Sequence, residues 1–410
     1  MLKIENYELE NELGSGTFGK VFLTTKQGDP KKYATKVFER ATIEKTEARR
    51  YLENEILILK DLDHPNICKF KDVKKSKNHY FVVMEYCNGG ELKKALEKYM
   101  DINGKAFPEE IVQHFMRQII DAFQYIHSKK IIHRDVKLEN ILLHYENEQD
   151  KENFDLMKAQ VKIIDFGFAC FIGPNGLRYT CLGSPINMDP LILKKLNSNS
   201  KKIRQLGYNE SADIWSIGTI CYEMVIGKSA FDSESMTELL EKIEKGNYTL
   251  PTNMSFEIVS FMNGMLQYMA NKRLTAAQLF RHDFLNKNVS QFKKIDLQKV
   301  SHITSSGVID MNSIKNSTIW SIFNKESETL LTTILGTEFV KPADKTEEEK
   351  FKKEDPKQSL LSIPSKDIPD NPINEKVTGS SPEDYQKLNQ LQGNIGKEAS
   401  YTFDGSIFDN

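Results

Sequence analysis

The chain is short of cysteine, of net charge and of long apolar runs, and each shortage closes off a class of protein. Its five cysteines, Cys68, Cys87, Cys170, Cys181 and Cys221, are odd in number and nowhere spaced C-x-x-C. That argues against a disulfide framework or a zinc cluster and predicts free thiols in a reducing, cytoplasmic compartment. Lysine and arginine total 56 against 58 acidic residues, a net charge of -2. Such a balance argues against a general nucleic-acid binder or a polybasic membrane binder. The start, MLKIENYELE, holds no signal-peptide apolar run. The most apolar long stretch, Ala212 to Gly227, carries Asp213 and Glu223 and falls short of the ~20 residues a bilayer span needs. It reads as a buried helix, so no transmembrane segment is expected. There is no internal repeat.

What is present is a chain of 410 residues, long enough for two or three units and at least one large core. From Tyr7 to about Phe284, short β-rich runs alternate with helical patterns. YELENELG, KVFLTTK, KYATKVF and YFVVMEY are β-branched or aromatic runs bounded by turn residues. Between the third and fourth, Leu52, Ile56, Leu59 and Leu62 form a helical stripe. After Gly90 the pattern is mainly helical, with long periodic segments at IVQHFMRQIIDAFQYIH and SADIWSIGTICYEMVIG. The expected class is α+β: a small strand-rich lobe followed by a larger helical one. Tyr145 to Gln160 and Lys194 to Arg204 look like inserted, solvated loops. Residues 341–410 hold six of the thirteen prolines and 14 acidic residues against 10 lysines, a composition that predicts a disordered tail. Residues 286–340 are intermediate, and periodicity does not decide whether they pack on the helical lobe.

The run Gly14-Ser15-Gly16-Thr17-Phe18-Gly19-Lys20-Val21 fits two phosphate-binding patterns. A P-loop needs Ser or Thr after the lysine and then a helix. Val21 and the strand-like VFLTT supply neither. A glycine flap between two strands, whose backbone N–H groups cover a nucleotide's phosphates, fits the context. A plain glycine hairpin fits it too.

Residues further along favour the flap. Lys36 lies on the next candidate strand, followed by the helix bearing Glu55, and a Lys–Glu pair can hold the α- and β-phosphates. Glu53 competes, but Glu55 sits better against the apolar stripe. In His133-Arg134-Asp135-Val136-Lys137-Leu138-Glu139-Asn140, Asp135 can accept the proton of an attacking hydroxyl. Lys137 can neutralise the transferring phosphoryl and Asn140 can ligate magnesium. Asp165-Phe166-Gly167 follows the apolar strand VKII and places a carboxylate where a second metal contact is needed.

With these motifs in order, residues 7 to 285 resemble the eukaryotic protein kinases. The resemblance implies a two-lobed protein kinase fold, with a small antiparallel-sheet lobe over 7–87, a helical lobe over 88–285 and Mg-ATP (ATP with Mg2+) in the cleft. It implies that Gly14, Ser15, Gly16, Thr17, Phe18 and Gly19 cover the phosphates, that Lys36 pairs with Glu55, and that Asp135 is the catalytic base assisted by Lys137. Asn140 and Asp165 would hold the metal. Met84 would be the gatekeeper, the backbone of Glu85 and Cys87 would bond adenine, and Glu91 would reach the ribose. Val21, Ala34 and Leu142 would sandwich the ring. A column of Leu59, Phe70, His133 and Phe166, anchored by Asp213, would couple the lobes.

Lys137 and Ser184, in Gly183-Ser184-Pro185, favour serine or threonine acceptors in protein substrates, and Phe168 leans toward serine. DFGFA, then T-C-L-GSP and ADIWSIGTICYEM, looks most like the unc-51-like autophagy kinases, with calcium/calmodulin-dependent-type kinases competing. Glu383-Asp384-Tyr385-Gln386-Lys387-Leu388 fits an acidic–aromatic pattern that docks autophagy modifier proteins, a pattern that also arises by chance in polar tails. Thr180 stands where a related kinase is phosphorylated, with Tyr179 adjacent; a phosphate there adds about −1.5 to −2 charge for Arg134 to clamp. Glu91, Glu139 and Glu223 match positions that read basic residues before the acceptor. One departure stands out: Met188-Asp189-Pro190-Leu191 replaces Ala-Pro-Glu, so Arg273 loses its usual glutamate. Either Arg273 is partly solvated or Asp189 serves it. The rival reading, a pseudokinase-type scaffold that transfers no phosphate, rests on Leu191 alone.

Overall fold

The computed structural model describes residues 3–16, 19–44, 48–172, 178, 183–233, 235–246, 248–251, 254–293 and 308–310. The first lobe is built on a six-stranded antiparallel sheet in the order β1-β2-β3-β4-β6-β5. Its strands are β1 (Lys3–Ile4), β2 (Tyr7–Gly16), β3 (Gly19–Lys26), β4 (Asp29–Glu39), β5 (Phe70–Lys75) and β6 (His79–Glu85). Four of them coincide with the β-branched runs. The fifth, FKDVKK, escapes sequence reading because charged residues fill four of its six positions.

Two helices, α1 (Arg40–Ile43) and α2 (Ala48–Asp61), connect β4 to β5. The stripe of α2 divides between two cores. Leu52 and Ile56 pack with Phe38, Ile43, Tyr80 and Val82 under the sheet. Leu59 and Leu62 join the large core of the helical lobe. Phe70 and Met84 touch both clusters, so the lobes share one apolar seam.

The second lobe begins with α3 (Leu92–Asn103) and α4 (Glu109–Ser128), then the short strands β7 (Ile131–Ile132) and β8 (Ile141–His144). Helix α5 (Glu148–Glu152) and strands β9 (Gln160–Ile163) and β10 (Cys170–Phe171) follow. Next come α6 (Pro190–Leu196), α7 (Lys201–Arg204), α8 (Ser211–Ile226) and α9 (Met236–Lys245). Strand β11 (Thr249–Pro251), α10 (Phe256–Met265), α11 (Ala276–Phe280) and α12 (Asp283–Asn286) close the lobe. Helix α8 is buried on nearly every side, as an all-round apolar helix must be. Among the described residues no helix is long and apolar enough to cross a membrane.

Two segments expected as solvated loops are largely exposed, but each is held by buried anchors and carries a short helix. Tyr145, Leu156 and Ala159 are buried in the main core, and α5 forms between them. Their polar neighbours mask three anchors that no period announces. In the second, Lys195 is buried and gives its ammonium to the Leu206 carbonyl at 2.7 Å. Beyond α12, a strand β12 (Val308–Asp310) pairs antiparallel with β11, placing Ile309 opposite Leu250. Residues 311–410, including the tail fragment at 383–388, lie outside the described residues.

Candidate active site in the cleft between the lobes

Strand pairing lays out the small-lobe wall of the cleft. Val21 pairs with Lys36 and Leu23 with Ala34, while Ala34 and Lys36 face Met84 and Val82. Cross-strand partners and alternate residues share a face, so Val21, Ala34, Lys36 and Met84 lie on one side of the sheet. From that face Lys36 Nζ reaches Glu55 Oε1 at 3.2 Å and Asp165 Oδ1 at 3.5 Å. Glu53 is engaged elsewhere, by Arg49 at 2.7 Å. Burial alone would drive the Lys36 ammonium down, but Asp165 and Glu55 outweigh it and hold it above the ordinary lysine value. Burial raises the Glu55 carboxyl despite Lys36. Asp165 goes the other way: burial disfavours its charge, yet Lys36 and Lys137 hold it below the usual carboxylate range. The triangle therefore keeps an ionised carboxylate at the cleft floor.

Asp165 adopts φ 61, a left-handed backbone that turns its carboxylate back to accept the Gly167 N–H at 3.3 Å. Phe166, the next residue, is fully buried against His133 with ring centroids 4.8 Å apart. The loop holding His133 is pinned from below. Asp213 on α8 accepts the N–H groups of His133 and Arg134, each at 2.9 Å, and lies 3.0 Å from His127 Nε2. His127 went unnoticed in the sequence, since it falls within the regular pattern of α4.

Asp135, buried, sits at the centre of a polar cluster. Its Oδ1 accepts the Ser184 hydroxyl at 2.7 Å and the Ser184 N–H at 3.0 Å. Lys137 Nζ lies 3.0 Å from Asp135 Oδ2 and 3.2 Å from Ser184 Oγ. Asn140 donates its amide to Asp135 Oδ2 and to the Asp135 carbonyl, both at 2.8 Å. The residue before Ser184 must be glycine: Gly183 has φ 120, and any Cβ there would collide with the Arg134 carbonyl.

One constellation thus joins Lys36, Glu55, Asp165, Asp135, Lys137, Asn140 and Ser184 from both lobes. A family model described as protein kinase domain matches residues 7–285. The chain belongs to the protein kinase family.

It is 32% identical over 295 residues to the serine/threonine-protein kinase atg1 of Dictyostelium discoideum, covering 70% of this chain and 40% of that protein. The ATG1 kinase of Kluyveromyces marxianus is 30% identical over 324 residues, covering 71% and 38%. A protein named probable myosin light chain kinase, from Dictyostelium discoideum, is 32% identical over 291 residues, covering 70% and 85%. The chain therefore spans about two fifths of the length of the ATG1 relatives it matches.

In this kinase the glycine run forms the β2–β3 hairpin, with Gly14 opposite Val21, Ser15 opposite Lys20 and Gly16 opposite Gly19. Thr17 and Phe18 lie outside the described residues. The glycines differ in need. A Cβ on Gly19 would run into the Val37 carbonyl of β4, whereas one on Gly14 meets nothing within 4 Å. At the end of β6, Glu85 N–H bonds the Lys69 carbonyl at 2.9 Å and Cys87 is buried just beyond. Glu91 bridges to Leu142, and its carboxylate meets Lys94 at 2.7 Å.

The departure at Leu191 is compensated in place. Asp189, buried, forms an ion pair with Arg273 and caps α6 by accepting the Leu191 N–H at 2.7 Å. Arg273 also donates to the carbonyls of Ser211 and Gln267, each at 2.8 Å. Arg273 is thus buried and paired, not solvated. Of the three glutamates expected to read basic substrates, Glu139 is exposed, while Glu223 is bonded by Lys93 at 2.5 Å, a partner the sequence did not suggest. Burial nevertheless pushes the Glu223 carboxyl up. Thr180 and Tyr179 lie outside the described residues.

Proposed function

We propose that this chain is an active, magnesium-dependent protein serine/threonine kinase of unc-51-like type, transferring the γ-phosphoryl of ATP to serine or threonine hydroxyls of protein substrates. The supporting observation is the Asp135–Ser184–Lys137 cluster facing the Lys36–Asp165 pair. In this reading Asp135 orients the acceptor hydroxyl and takes its proton as the new P–O bond forms and ADP leaves. Lys137 neutralises charge developing on the transferring group, and Lys36, held by Glu55, positions the α- and β-phosphates. Magnesium, when bound with the nucleotide, would supply charge neutralisation to its phosphates. Asn140 and Asp165 would hold it, and they suit it: both offer oxygen to a hard ion, and Asn140 spends its NH2 on Asp135, leaving its amide oxygen free for coordination. The hairpin at Gly14 to Gly19 covers the phosphates. Val21, Ala34 and Leu142 enclose the adenine, Met84 gates its pocket, Glu85 and Cys87 bond it through their backbone, and Glu91 meets the ribose. In this reading a phosphate on Thr180, a residue outside those described, would find its counter-charge in Arg134.

Asp189 removes the ground for a non-catalytic scaffold, because the arginine left by the missing glutamate has a carboxylate. A role in autophagy is part of this reading through the resemblance to the unc-51-like kinases, and the free, buried cysteines suit a reducing cytoplasmic setting. The test is a peptide array with Mg-ATP: phosphoserine or phosphothreonine supports the reading, and phosphotyrosine alone or no product contradicts it. Because Lys93 already neutralises Glu223, arginine before the serine should bring little gain, and Lys93→Ala should increase that gain.

A further inference from the structure

Behind the hinge, three side chains with metal-binding atoms converge from two segments. Cys68 Sγ, a Glu85 carboxylate oxygen and Cys87 Sγ all lie within 4.8 Å of one another. Cys68 precedes β5, and Glu85 ends β6 just before Cys87. The backbone holds them there: Lys69, beside Cys68, accepts the Glu85 N–H at 2.9 Å. Both thiols are buried, and the Cys68 thiol donates to the Glu85 carbonyl at 3.7 Å. Neither sulfur is needed for the phosphoryl chemistry described above, which uses only the backbone of Cys87.

We propose that Cys68, Glu85 and Cys87 form a binding site for a thiophilic divalent cation of the zinc class. Two sulfurs and one carboxylate are a donor set for a borderline-soft ion and not for magnesium. Zinc–sulfur bonds of about 2.3 Å match a site of this size after small side-chain rotations, and three protein ligands leave the fourth position to water. Charge favours the same ion. Lys162 Nζ lies 3.0 Å from Glu85 Oε1. Two thiolates and a carboxylate against one ammonium and one divalent cation leave no net charge. Metal binding displaces both thiol protons, so affinity must rise with pH.

The site has a mechanical consequence. Cys68 N–H bonds the Ile163 carbonyl of β9, two residues before Asp165. Bound metal therefore ties the hinge at Cys87 to the strand that leads into the cleft floor. The widely separated positions of the two cysteines hide the site from any search for C-x-x-C spacing.

The experiment is a cobalt titration of the full, reduced, chelator-stripped chain, followed by absorption, with zinc as competitor. The expected result is one equivalent bound, with a thiolate-to-cobalt charge-transfer band that zinc abolishes. Cys68→Ser and Cys87→Ser should each weaken binding at least tenfold and remove the band, while Cys221→Ala keeps it. Should a serine variant fail to fold, Glu85→Gln must still weaken binding, as judged beside its own thermal unfolding. A wild-type chain with no charge-transfer band would overturn the proposal, and so would a band that survives in both serine variants.

Discussion

Arg273 is enclosed by Asp189, Ser211, Gln267 and Tyr268, so removing its carboxylate strands a buried cation. Asp189→Ala is expected to destabilise the kinase by about 3–5 kcal/mol, read as a drop in the urea midpoint. An unchanged midpoint would contradict the pairing. At the cleft, Lys36→Met and Asp165→Asn should each lower turnover on the order of 10²–10³-fold. Near-normal turnover in either variant would place the chemistry elsewhere. At this scale the sequence was most legible where a motif fixes both residue type and spacing, as at His133 to Asn140. It left Asp189 as one of two options, because a lone aspartate before a proline carries no mark of its distant arginine. Lys93 and His127 were invisible for the same reason: their partners, Glu223 and Asp213, are far away in the chain.

Among the elements, the β2–β3 hairpin separates two uses of glycine. Gly19→Ala forces β3 away from β4 and should cost about 1–3 kcal/mol, visible as a lower melting temperature. Gly14→Ala has open space around it, so stability should stay within about 0.5 kcal/mol while the KM for ATP rises. Equal melting temperatures for the two variants would refute this distinction. The strands rich in Val, Phe, Tyr and Thr were readable one by one, and α2 declared itself through its stripe. Strand β5 was not readable, since Phe70 and Val73 are separated and surrounded by charge, and its pairing with β6 supplies the order. The segment from Tyr145 to Gln160 misled for the opposite reason: a few buried residues hold an otherwise polar stretch against the core.

For the whole molecule, the two lobes share an apolar seam through Leu59, Phe70 and Met84, while Asp213 pins the His133 loop within the helical lobe. Stability should also carry a titration far from the cleft. His282 is buried at the start of α12, where its Nδ1 accepts the Phe284 N–H at 3.1 Å, and burial pushes its pKa down to about 4 from 6.5. An unfolded chain binds that proton first as pH falls, so this contribution is intact above pH 6.5 and is lost between there and about 4. The loss amounts to about 3 kcal/mol. His282→Asn keeps a capping side chain and should flatten the urea midpoint across that window; the same slope in both proteins would contradict the assignment. The two-lobed plan was legible because composition and periodicity change together near Gly90. The contact of β12 with β11 was not, because three residues carry too little pattern to announce a partner.

The central claim is that Asp135, Lys36 and Asp165 act together on one magnesium-bound nucleotide. Its most direct test is transfer of label from γ-labelled ATP to a serine peptide, measured for the wild-type chain and for Asp135→Asn at matched concentration. The account predicts rapid, magnesium-dependent transfer by the wild type and a fall on the order of 10²–10³-fold in the variant. Equal rates from the two proteins, or no transfer by either, would contradict it.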